Sequence, residues 1–392
     1  MKTISILGST GSVGCATVEL IKEMPGDYIV DSLTAHQNWQ LLAQQAKILR
    51  PRYVAVSKHE YYQPLKSALV GQNIQVASGE EAIIEAGERE VDLLMAAIVG
   101  TAGLLPTVAA IRKGTTVALA NKECLVSSGE ILIKELDKSK AKLLPVDSEH
   151  NAIFQVFENH NKSHLDRLIL TASGGPFRDC SLEEMKEKSP KEALAHPNWN
   201  MGNKISIDSA TMMNKGLEII EAHYLFGVKE SVIDVVIHPQ SIVHSLVSYL
   251  DGSVLAQLAH PDMKIPIAYT LSWPDRMNIN MPRLDLSKVG LLEFYDPDKD
   301  KFPALRLARE SIKSGGSACL AFNAANEIAV AEFLAGKIRF TDILFSDEIR
   351  GLISKNLRKI LSLLSREVLN WLRPFEPFCT CWKREKHLFL VP

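Results

Sequence analysis

With 392 residues, the chain is longer than a single hydrophobic core usually supports, so two or three domains are expected. Apolar residues make up 46% of it and charged residues 23%, which is ordinary for a soluble globular protein. The formal net charge of −2 gives no electrostatic reason to expect nucleic acid or a membrane surface as a partner, so any phosphate group must be bound by a local site.

The cysteines and the most apolar segment both favour a cytoplasmic protein without a membrane span. The six cysteines form no CxxC pair and no zinc spacing with histidine, which is typical of reduced cytoplasmic thiols. Residues 93–111 carry no charge, but they are rich in Ala, Gly and Thr and contain Pro106. A buried strand, a glycine turn and a packed helix therefore explain this segment better than a bilayer span does.

Short apolar strands alternate with helical stretches over the first part of the chain. This alternation predicts a parallel sheet with crossover helices, and thus an α/β, Rossmann-type nucleotide-binding domain over residues 1–147. A helix is expected around residues 17–22. The strands are predicted at residues 4–7, 28–33, 53–56, 93–98, 116–119 and 142–146.

The pattern changes after residue 147. Several strand-like runs surround one clear helix at residues 210–226, which predicts an α+β catalytic domain over residues 148–285. A proline-rich connection and helical stretches follow, so residues 286–392 are expected to form a linker and a C-terminal helical domain. The strand-like runs of the central domain are residues 168–171, 232–237, 241–249 and 253–258.

The sequence GSTGSVG at residues 8–14 lies directly between the first strand and the first helix. Glycines at such a turn let the backbone approach a pyrophosphate, and the free N–H groups of a helix N-terminus attract it. The spacing is GxxGxxG rather than the usual GxGxxG, so a glycine turn without a ligand is the alternative. The strand before and the helix after favour nucleotide binding.

The end of the second strand bears on which nucleotide is bound. NAD enzymes generally place an acidic residue there to hold the ribose 2′-hydroxyl, but residues 34–38 read TAHQN. The missing carboxylate favours NADP(H), although His36 and Gln37 are weaker phosphate partners than Arg or Lys. The sequence ANKE at residues 120–123 ends a later strand at the same sheet edge. Ligand contact is favoured there over a loop salt bridge between Lys122 and Glu123.

Two acidic residues follow the last predicted strand of the first domain. If the segment is extended, Asp147 and Glu149 project to the same side and can converge on one cation. A solvated acidic pair is the alternative. The helix at residues 210–226 carries Asn214, Glu218 and Glu221 on one face, with Lys215 beside them. A carboxylate, an amide and an ammonium group suit a metal and an anion in one pocket.

The alternative for that helix is an ordinary polar surface, and Glu221 is open to this interpretation. Phosphate ligands are expected in the small-residue turn at residues 173–175 and at Ser209, which with Asp208 is predicted to cap the helix. Oxygen-only ligands point to Mg²⁺ or Mn²⁺. Residues 190–204 are loop-like and suited to closing over a substrate; an ordinary surface loop is the alternative.

Eight motifs occur in an order that resembles the 1-deoxy-D-xylulose 5-phosphate reductoisomerase family. The run DSATMMNKGLE at residues 208–218 is the most specific of them, and the resemblance spans roughly residues 1–342. The motifs lie at residues 8–14, 120–123, 145–150, 173–178, 196–199, 208–218, 238–241 and 323–330.

The resemblance implies a cytoplasmic, homodimeric enzyme that uses NADPH and a divalent metal. Its substrate would be a small phosphorylated sugar, 1-deoxy-D-xylulose 5-phosphate, which it would isomerise and reduce to 2-C-methyl-D-erythritol 4-phosphate for isoprenoid synthesis through the methylerythritol phosphate pathway. No nucleic acid or membrane partner is implied. A plain NAD(P)-linked dehydrogenase and a non-catalytic NADP sensor are the competing hypotheses, and metal dependence separates the first of these from the reductoisomerase.

The resemblance also implies roles for residues at matching positions. The metal ligands would be Asp147, Glu149 and Glu218. The catalytic residues would be Lys122, Glu149, His196, Trp199 and Glu218. The substrate-binding residues would be Lys122, Ser148, Glu149, Ser173, His196, Ser209, Asn214, Lys215 and Glu218. The NADPH contacts would be Thr10, Gly11, Ser12, Val13, His36, Gln37, Asn38, Asn121, Glu123 and Gly202.

Two departures from the family pattern stand out. Gln37 occupies a position where the family often has a basic residue, which weakens the preference for NADP. Beyond about residue 342 the pattern fades, and residues 343–392 do not resemble the usual C-terminal helices. Every proposed catalytic residue lies upstream of that point.

Overall fold

The structure, a computed structural model, describes residues 1–195, 199 and 202–345. The predictions for His196 and for the stretch after residue 345 lie outside the described residues. The chain divides into two compact units. Unit 1 comprises Met1–Gly174 and Glu221–Pro297, and unit 2 comprises Gly175–Ile220 and Asp298–Pro392. The sequence domains 1–147, 148–285 and 286–392 stay a prediction.

Unit 1 contains a parallel sheet of seven strands in the order β4-β3-β2-β1-β5-β6-β7. The predicted α/β, Rossmann-type architecture is thereby confirmed. The strand β4 was not predicted from the sequence, because this edge strand is at most partly buried and has no continuous apolar run. The strands are β1 (Lys2–Leu7), β2 (Tyr28–Ala35), β3 (Tyr53–Val56), β4 (Gln75–Ser78), β5 (Leu93–Ala96), β6 (Thr116–Leu119) and β7 (Leu143–Pro145).

Helices follow the successive strands of this sheet, as crossover connections between parallel strands require. The residues 93–111 are explained as β5, a turn and a helix, and no helix of the described chain is long and apolar enough to cross a bilayer. The helices are α1 (Ser12–Glu23), α2 (Trp39–Leu49), α3 (Tyr62–Ala68), α4 (Glu80–Glu88), α5 (Leu104–Arg112) and α6 (Lys122–Asp137).

A second sheet of unit 1 has four strands in the order β11-β10-β8-β9. β8 and β9 are parallel, whereas β10 runs antiparallel to both β8 and β11. All four lie within a few residues of the predicted strands, and the alternation of buried and partly buried residues is clear along β9 and the end of β10. The strands are β8 (Leu165–Ala172), β9 (Ile233–Ile237), β10 (Val243–Tyr249) and β11 (Val254–Leu258).

Two further helices of unit 1 pack on these elements: α7 packs on β10 and β11, and α12 packs on α1. The Lys2 ammonium donates to the carbonyls of Ser272 and Trp273 at 3.2 and 2.8 Å, at the end of α12.

The α-helices after α6, in both units, are α7 (Ser148–Val156), α8 (Leu182–Lys186), α9 (Pro190–Ala193), α10 (Asn203–Ala210), α11 (Met213–Phe226), α12 (Lys264–Ser272), α13 (Leu286–Val289), α14 (Ala304–Ser314), α15 (Ala318–Leu334) and α16 (Asp342–Phe345).

The described part of unit 2 is helical, and it corrects the predicted helix at residues 210–226. Two helices, α10 and α11, meet at Met212, whose φ is 59°. The Thr211 hydroxyl donates to Ile207 O at 3.0 Å and accepts from Met213 N–H at 3.3 Å, so it serves groups at both helix ends. The predicted cap is wrong, because Asp208 and Ser209 lie inside α10.

Asp208 links α10 to α15 within unit 2 instead of capping a helix. Its carboxylate is buried, accepts a hydrogen bond from the Asn326 amide at 2.7 Å and pairs with Lys204 at 2.9 Å. The segment predicted as a loop, residues 190–204, begins with the short helix α9. Ser189 is the N-cap of this helix and forms a capping box with Glu192.

Candidate active site

The glycine turn after β1 has the geometry that its sequence predicts. Gly8 has φ of +78°, and a Cβ there would lie 2.7 Å from Ala97 O. A Cβ on Gly14 would overlap the carbonyl oxygen of Gly8. Both positions therefore require glycine, and their small size lets α1 begin close against β1.

The start of α1 faces outward from this turn. Gly11 is its N-cap and provides no side chain to cap the helix. Ser9 points inward instead, where its hydroxyl donates to the Gln45 side chain at 2.7 Å. The first-turn N–H groups therefore have no capping side chain at Gly11 and are suited to binding an anion. This turn contains four of the predicted NADPH contacts, namely Thr10, Gly11, Ser12 and Val13.

The predicted NADPH contacts of unit 1 outside this turn lie at the carboxyl edge of the sheet. His36, Gln37 and Asn38 are exposed after β2, and the Asn38 side chain caps α2 by accepting from Leu41 N–H at 3.2 Å. The strand order reverses between β1 and β5, which is where open parallel sheets bind ligands.

Asn121 lies on the far side of that reversal. It caps α6 by accepting from Cys124 N–H at 3.2 Å, and its amide donates to the carbonyls of Ile98 and Gly100. Asn121 therefore ties the loop after β5 to the loop after β6. Glu123, in the first turn of α6, is buried.

Lys122 and Asp147 form a largely buried ion pair at the same edge. Lys122 opens α6 and is 8% exposed, and its ammonium lies 2.5 Å from Asp147 Oδ2. Burial acts to raise the pKa of Asp147, but the Lys122 ammonium and the His150 ring outweigh it and hold that pKa well below its ordinary value. Asp147 is consequently ionised.

The segment that carries Asp147 differs from the prediction in one respect. It is not extended, because Ser148 and Glu149 already lie in the first turn of α7 and Asp147 is the N-cap residue. The Asp147 side chain nevertheless makes no cap hydrogen bond. One oxygen of Asp147 and one of Glu149 lie within 4.8 Å of each other, so the predicted convergence of the two carboxylates is found. Ser148 Oγ donates to Glu149 at 2.5 Å.

His150 is a site residue to which sequence reasoning gave no role, and Glu221 is one that it left open to a surface interpretation. They are 0% and 1% exposed, and His150 Nδ1 lies 3.3 Å from Glu221 Oε2 and 3.6 Å from Asp147 Oδ2. Ligand atoms of these three residues all lie within 4.8 Å of one another. The surface interpretation of Glu221 is wrong. The sequence offered one indication of a role for His150, since it is the last residue of the motif at residues 145–150.

We use "acidic cluster" for Lys122, Asp147, Glu149, His150 and Glu221, all of which belong to unit 1. The cluster combines three carboxylates with one ammonium and one imidazole. The ring of His150 also stacks on Phe226 of α11, with centroids 6.4 Å apart. The side chains of α7 are thereby held against the second half of α11.

The first half of α11, in unit 2, carries the remaining predicted ligands. Glu218 is fully buried, accepts from the Asn214 amide at 2.5 Å and pairs with the Lys215 ammonium. Gly175 has φ of +69°, and a Cβ there would lie 2.7 Å from the carbonyl oxygen of Ser209 in α10. These two features bring Asn214, Lys215 and Glu218 together and set the turn at Gly175 against Ser209.

Three other predicted residues are placed as follows. Ser173 is partly buried directly after β8, and Trp199 is also partly buried. Gly202 is exposed and is the N-cap of α10.

A Rossmann-type sheet, a glycine turn before an uncapped helix start and an acidic cluster at the same edge are typical of one class of protein, the dinucleotide-dependent oxidoreductases. The family model of 1-deoxy-D-xylulose 5-phosphate reductoisomerase matches residues 4–129. Models of the C-terminal domains of this enzyme match residues 143–226 and 258–356. The chain belongs to the 1-deoxy-D-xylulose 5-phosphate reductoisomerase family.

Individual relatives agree with this assignment. The curated reductoisomerase of Rhodospirillum centenum is 56% identical over 343 residues, covering 88% of this chain and 85% of the relative. The enzyme of Zymomonas mobilis is 52% identical over 342 residues, covering 87% and 88%. These matches set aside the two competing hypotheses, a plain dehydrogenase and a non-catalytic NADP sensor.

Solved structures match over nearly the whole chain. The Zymomonas mobilis reductoisomerase in complex with NADPH has a TM-score of 0.85 and 49% identity, covering 91% of this chain and 92% of that one. A DOX-P reductoisomerase in complex with NADPH, fosmidomycin and magnesium has a TM-score of 0.85 and 44% identity, covering 94% and 97%.

Proposed function

We propose that Asp147, Glu149 and Glu218 hold one divalent cation, Mn²⁺ or Mg²⁺, for the reaction of this family. The chain is an NADP-dependent reductoisomerase that converts 1-deoxy-D-xylulose 5-phosphate to 2-C-methyl-D-erythritol 4-phosphate in isoprenoid precursor biosynthesis. The observation that carries the proposal is the convergence of the Asp147 and Glu149 carboxylates at the ligand-binding edge of the sheet.

The chemistry of these donors fits a hard cation. Carboxylate oxygens are the ligands that Mg²⁺ and Mn²⁺ prefer. Asp147 is kept ionised by Lys122, so it needs no proton loss before binding a cation. Glu218 is fully buried and lies one helical turn before Glu221 on α11, which presents both carboxylates on similar faces of that helix. When bound, the cation supplies Lewis-acid polarisation of the substrate's ketone and hydroxyl oxygens.

The nucleotide turn fits the pyrophosphate of NADPH. Its glycines allow close backbone approach, and the uncapped start of α1 offers N–H groups to the phosphates. NADPH supplies the hydride that reduces the rearranged aldehyde. The residues that we propose to contact it are Thr10, Gly11, Ser12, Val13, His36, Gln37, Asn38, Asn121, Glu123 and Gly202.

The start of α11 suits the phosphate of a phosphorylated sugar. Asn214 and Lys215 lie in its first turn, where the helix dipole favours an anion. Lys215 provides a full positive charge and Asn214 an amide donor. We propose that Ser173, Ser209 and His196 add further donors, that Lys122 and Ser148 contact the sugar, and that Trp199 covers it.

Two wider properties belong to the same proposal. We propose that the chain acts as a homodimer and that it works in the cytoplasm. Sedimentation of the purified enzyme would test the first, since a monomer at micromolar concentration would contradict it. Fractionation of cells that express the chain would test the second.

Product identification by NMR tests the function most specifically. The branched product and the linear alcohol from simple reduction have the same mass, so the methyl signal must distinguish them. In the branched product the methyl group sits on a carbon without hydrogen and gives a singlet. In the linear alcohol it neighbours a CH and gives a doublet. A singlet is expected with NADPH and Mn²⁺; a doublet alone would overturn the isomerase half of the proposal.

A further inference from the structure

The turn after β2 lacks the cation that an NADPH site calls for. His36, Gln37 and Asn38 are exposed there, and none of them carries a permanent positive charge. The 2′-phosphate of NADPH is what distinguishes it from NADH, and dinucleotide sites commonly meet it with an arginine near this strand end. The charge for this group must come from another element of the sheet.

The register of the sheet brings Lys58 beside this turn. β2 and β3 are parallel, with Ala35 opposite Val56. The pairing continues past the strands, since Ser57 N–H donates to Ala35 O at 2.9 Å and Lys58 N–H donates to His36 O at 3.3 Å. The backbone of Lys58 therefore lies about 4.8 Å, one strand spacing, from that of His36. A lysine has a flexible four-carbon stem that spans such a gap.

Of the charged groups at these strand ends, Lys58 is the one suited to binding the 2′-phosphate. His59 is held by a hydrogen bond of 3.0 Å between its Nδ1 and Ser78 Oγ, after β4. The carboxylate of Glu60 hydrogen-bonds with the neighbouring Tyr61 hydroxyl. Lys58 is exposed, and within the described residues no ion pair joins its ammonium. Of the residues 36–38, 57–59 and 79–81, it alone is a lysine or arginine.

We propose that Lys58 binds the 2′-phosphate of NADPH and sets the preference of this chain for NADPH over NADH. The proposal rests on NADPH being the reductant in the proposed function. His36 lies next to the same phosphate and adds a hydrogen-bond donor. The ammonium of Lys58 takes the place of the basic residue that position 37 lacks in this chain.

The test compares Lys58→Ala and Lys58→Arg with the control Lys113→Ala. Lys113 is an exposed lysine after α5, near the start of β6 and thus away from the carboxyl ends of the strands. Its replacement by alanine changes the net charge by the same amount. The measurements are KM for NADPH and NADH, and inhibition by 2′,5′-ADP and by 5′-AMP. The latter pair reports nucleotide binding without turnover.

Lys58→Ala is expected to raise KM for NADPH and the inhibition constant of 2′,5′-ADP by roughly five- to tenfold, the effect of one charge-assisted hydrogen bond at an exposed site. KM for NADH, inhibition by 5′-AMP and kcat at saturating NADPH stay unchanged. Lys58→Arg retains the preference, and Lys113→Ala behaves as the unaltered chain.

Two outcomes would overturn the proposal. One is a ratio of KM for NADPH to KM for NADH in Lys58→Ala that stays within about twofold of the ratio in the unaltered chain. So small a change is less than the loss of one charge-assisted contact would cause. The other is equal weakening of all four nucleotides, which would indicate a structural effect. Failure of the proposed function looks different, since the unaltered chain would then show no substrate-dependent NADPH oxidation.

Discussion

The nucleotide turn and the acidic cluster lie at the same edge of one sheet but are built by opposite means. At residues 8–14 the binding surface is backbone, and it exists because side chains are missing at Gly8 and Gly14. In the acidic cluster the binding surface consists of ionisable side chains, and it exists because buried and partly buried groups lie close together. A backbone site depends on local geometry, whereas a buried charged site depends on every partner being present.

Loss of a carboxylate that we propose as a metal ligand should have the largest effect on catalysis. Glu218→Gln keeps the shape but removes the charge, and we expect kcat to fall by roughly 10³-fold, since a metal contributes several kcal/mol of charge stabilisation. NADPH binding should persist, because the nucleotide turn is a separate structure. Steady-state kinetics and NADPH fluorescence titration check both points.

The control for that variant is Glu310→Gln, an exposed glutamate on α14 that pairs with Arg306 at the surface. It should keep full activity. Equal losses in the two variants, or a Glu218→Gln enzyme with near-normal kcat, would contradict the assigned role of Glu218.

Breaking the buried pair should cost stability next. Lys122→Met leaves Asp147 buried without its ammonium, and we expect unfolding in chelator at pH 7 to become easier by roughly 2–4 kcal/mol. In the unaltered chain the depressed pKa of Asp147 adds stability above its ordinary pKa, which is lost only as the pH falls through the folded value. In the variant burial raises that pKa, so the deficit should shrink as the pH is lowered towards 4.

Denaturant unfolding of the two proteins across pH 4–8 measures this difference. Lys113→Met provides the matched control, since Lys113 is an exposed lysine outside the acidic cluster. A deficit for Lys122→Met that stays constant with pH would show that Asp147 is not the group responsible.

A change in the nucleotide turn tests the backbone side of the comparison. Gly14→Ala would push a Cβ into Gly8 O, and we expect it to lower the free energy of unfolding by about 2–3 kcal/mol and to raise KM for NADPH. Gly11→Ala is the matched variant, because its Cβ would lie 3.4 Å from the same oxygen. Its unfolding should be nearly unchanged. Similar unfolding for both variants would contradict the close packing of α1 on β1.

Local sequence carried enough information for the nucleotide turn but not for the cluster. The glycines of residues 8–14 report on their own backbone, so the turn could be predicted and was confirmed. Asp147 and Glu149 were correctly paired, although for the wrong reason, since they start a helix rather than end a strand. His150 and Glu221 meet only because α7 packs beside α11, and no local pattern encodes that contact.

The break at Met212 and the strand β4 were missed for related reasons. The sequence around Met212 contains no proline or adjacent glycine turn, and the break depends on the hydroxyl of Thr211 serving two helices at once. β4 is recognisable only through its pairing with β3, because its own residues are partly exposed.

The smallest expected effect concerns Glu221, which touches His150 rather than the proposed cation. Glu221→Gln keeps the volume but weakens the hold on His150 and, through it, on Asp147. We expect the Mn²⁺ concentration for half-maximal activity to rise by roughly 10- to 100-fold, as for other residues that orient metal ligands. At saturating Mn²⁺ kcat should largely recover. Glu130→Gln, at an exposed position of α6, should behave as the unaltered chain. A loss of kcat that excess Mn²⁺ does not restore would contradict this supporting role.

Direct Mn²⁺ binding tests the central claim, that three carboxylates of this chain hold one hard cation. Electron paramagnetic resonance can count bound Mn²⁺ without any catalysis. The account predicts one Mn²⁺ per chain, with affinity sharply reduced in Asp147→Asn, Glu149→Gln and Glu218→Gln but not in Glu310→Gln. Unchanged Mn²⁺ affinity in Glu218→Gln, with the variant folded as the unaltered chain is, would contradict it.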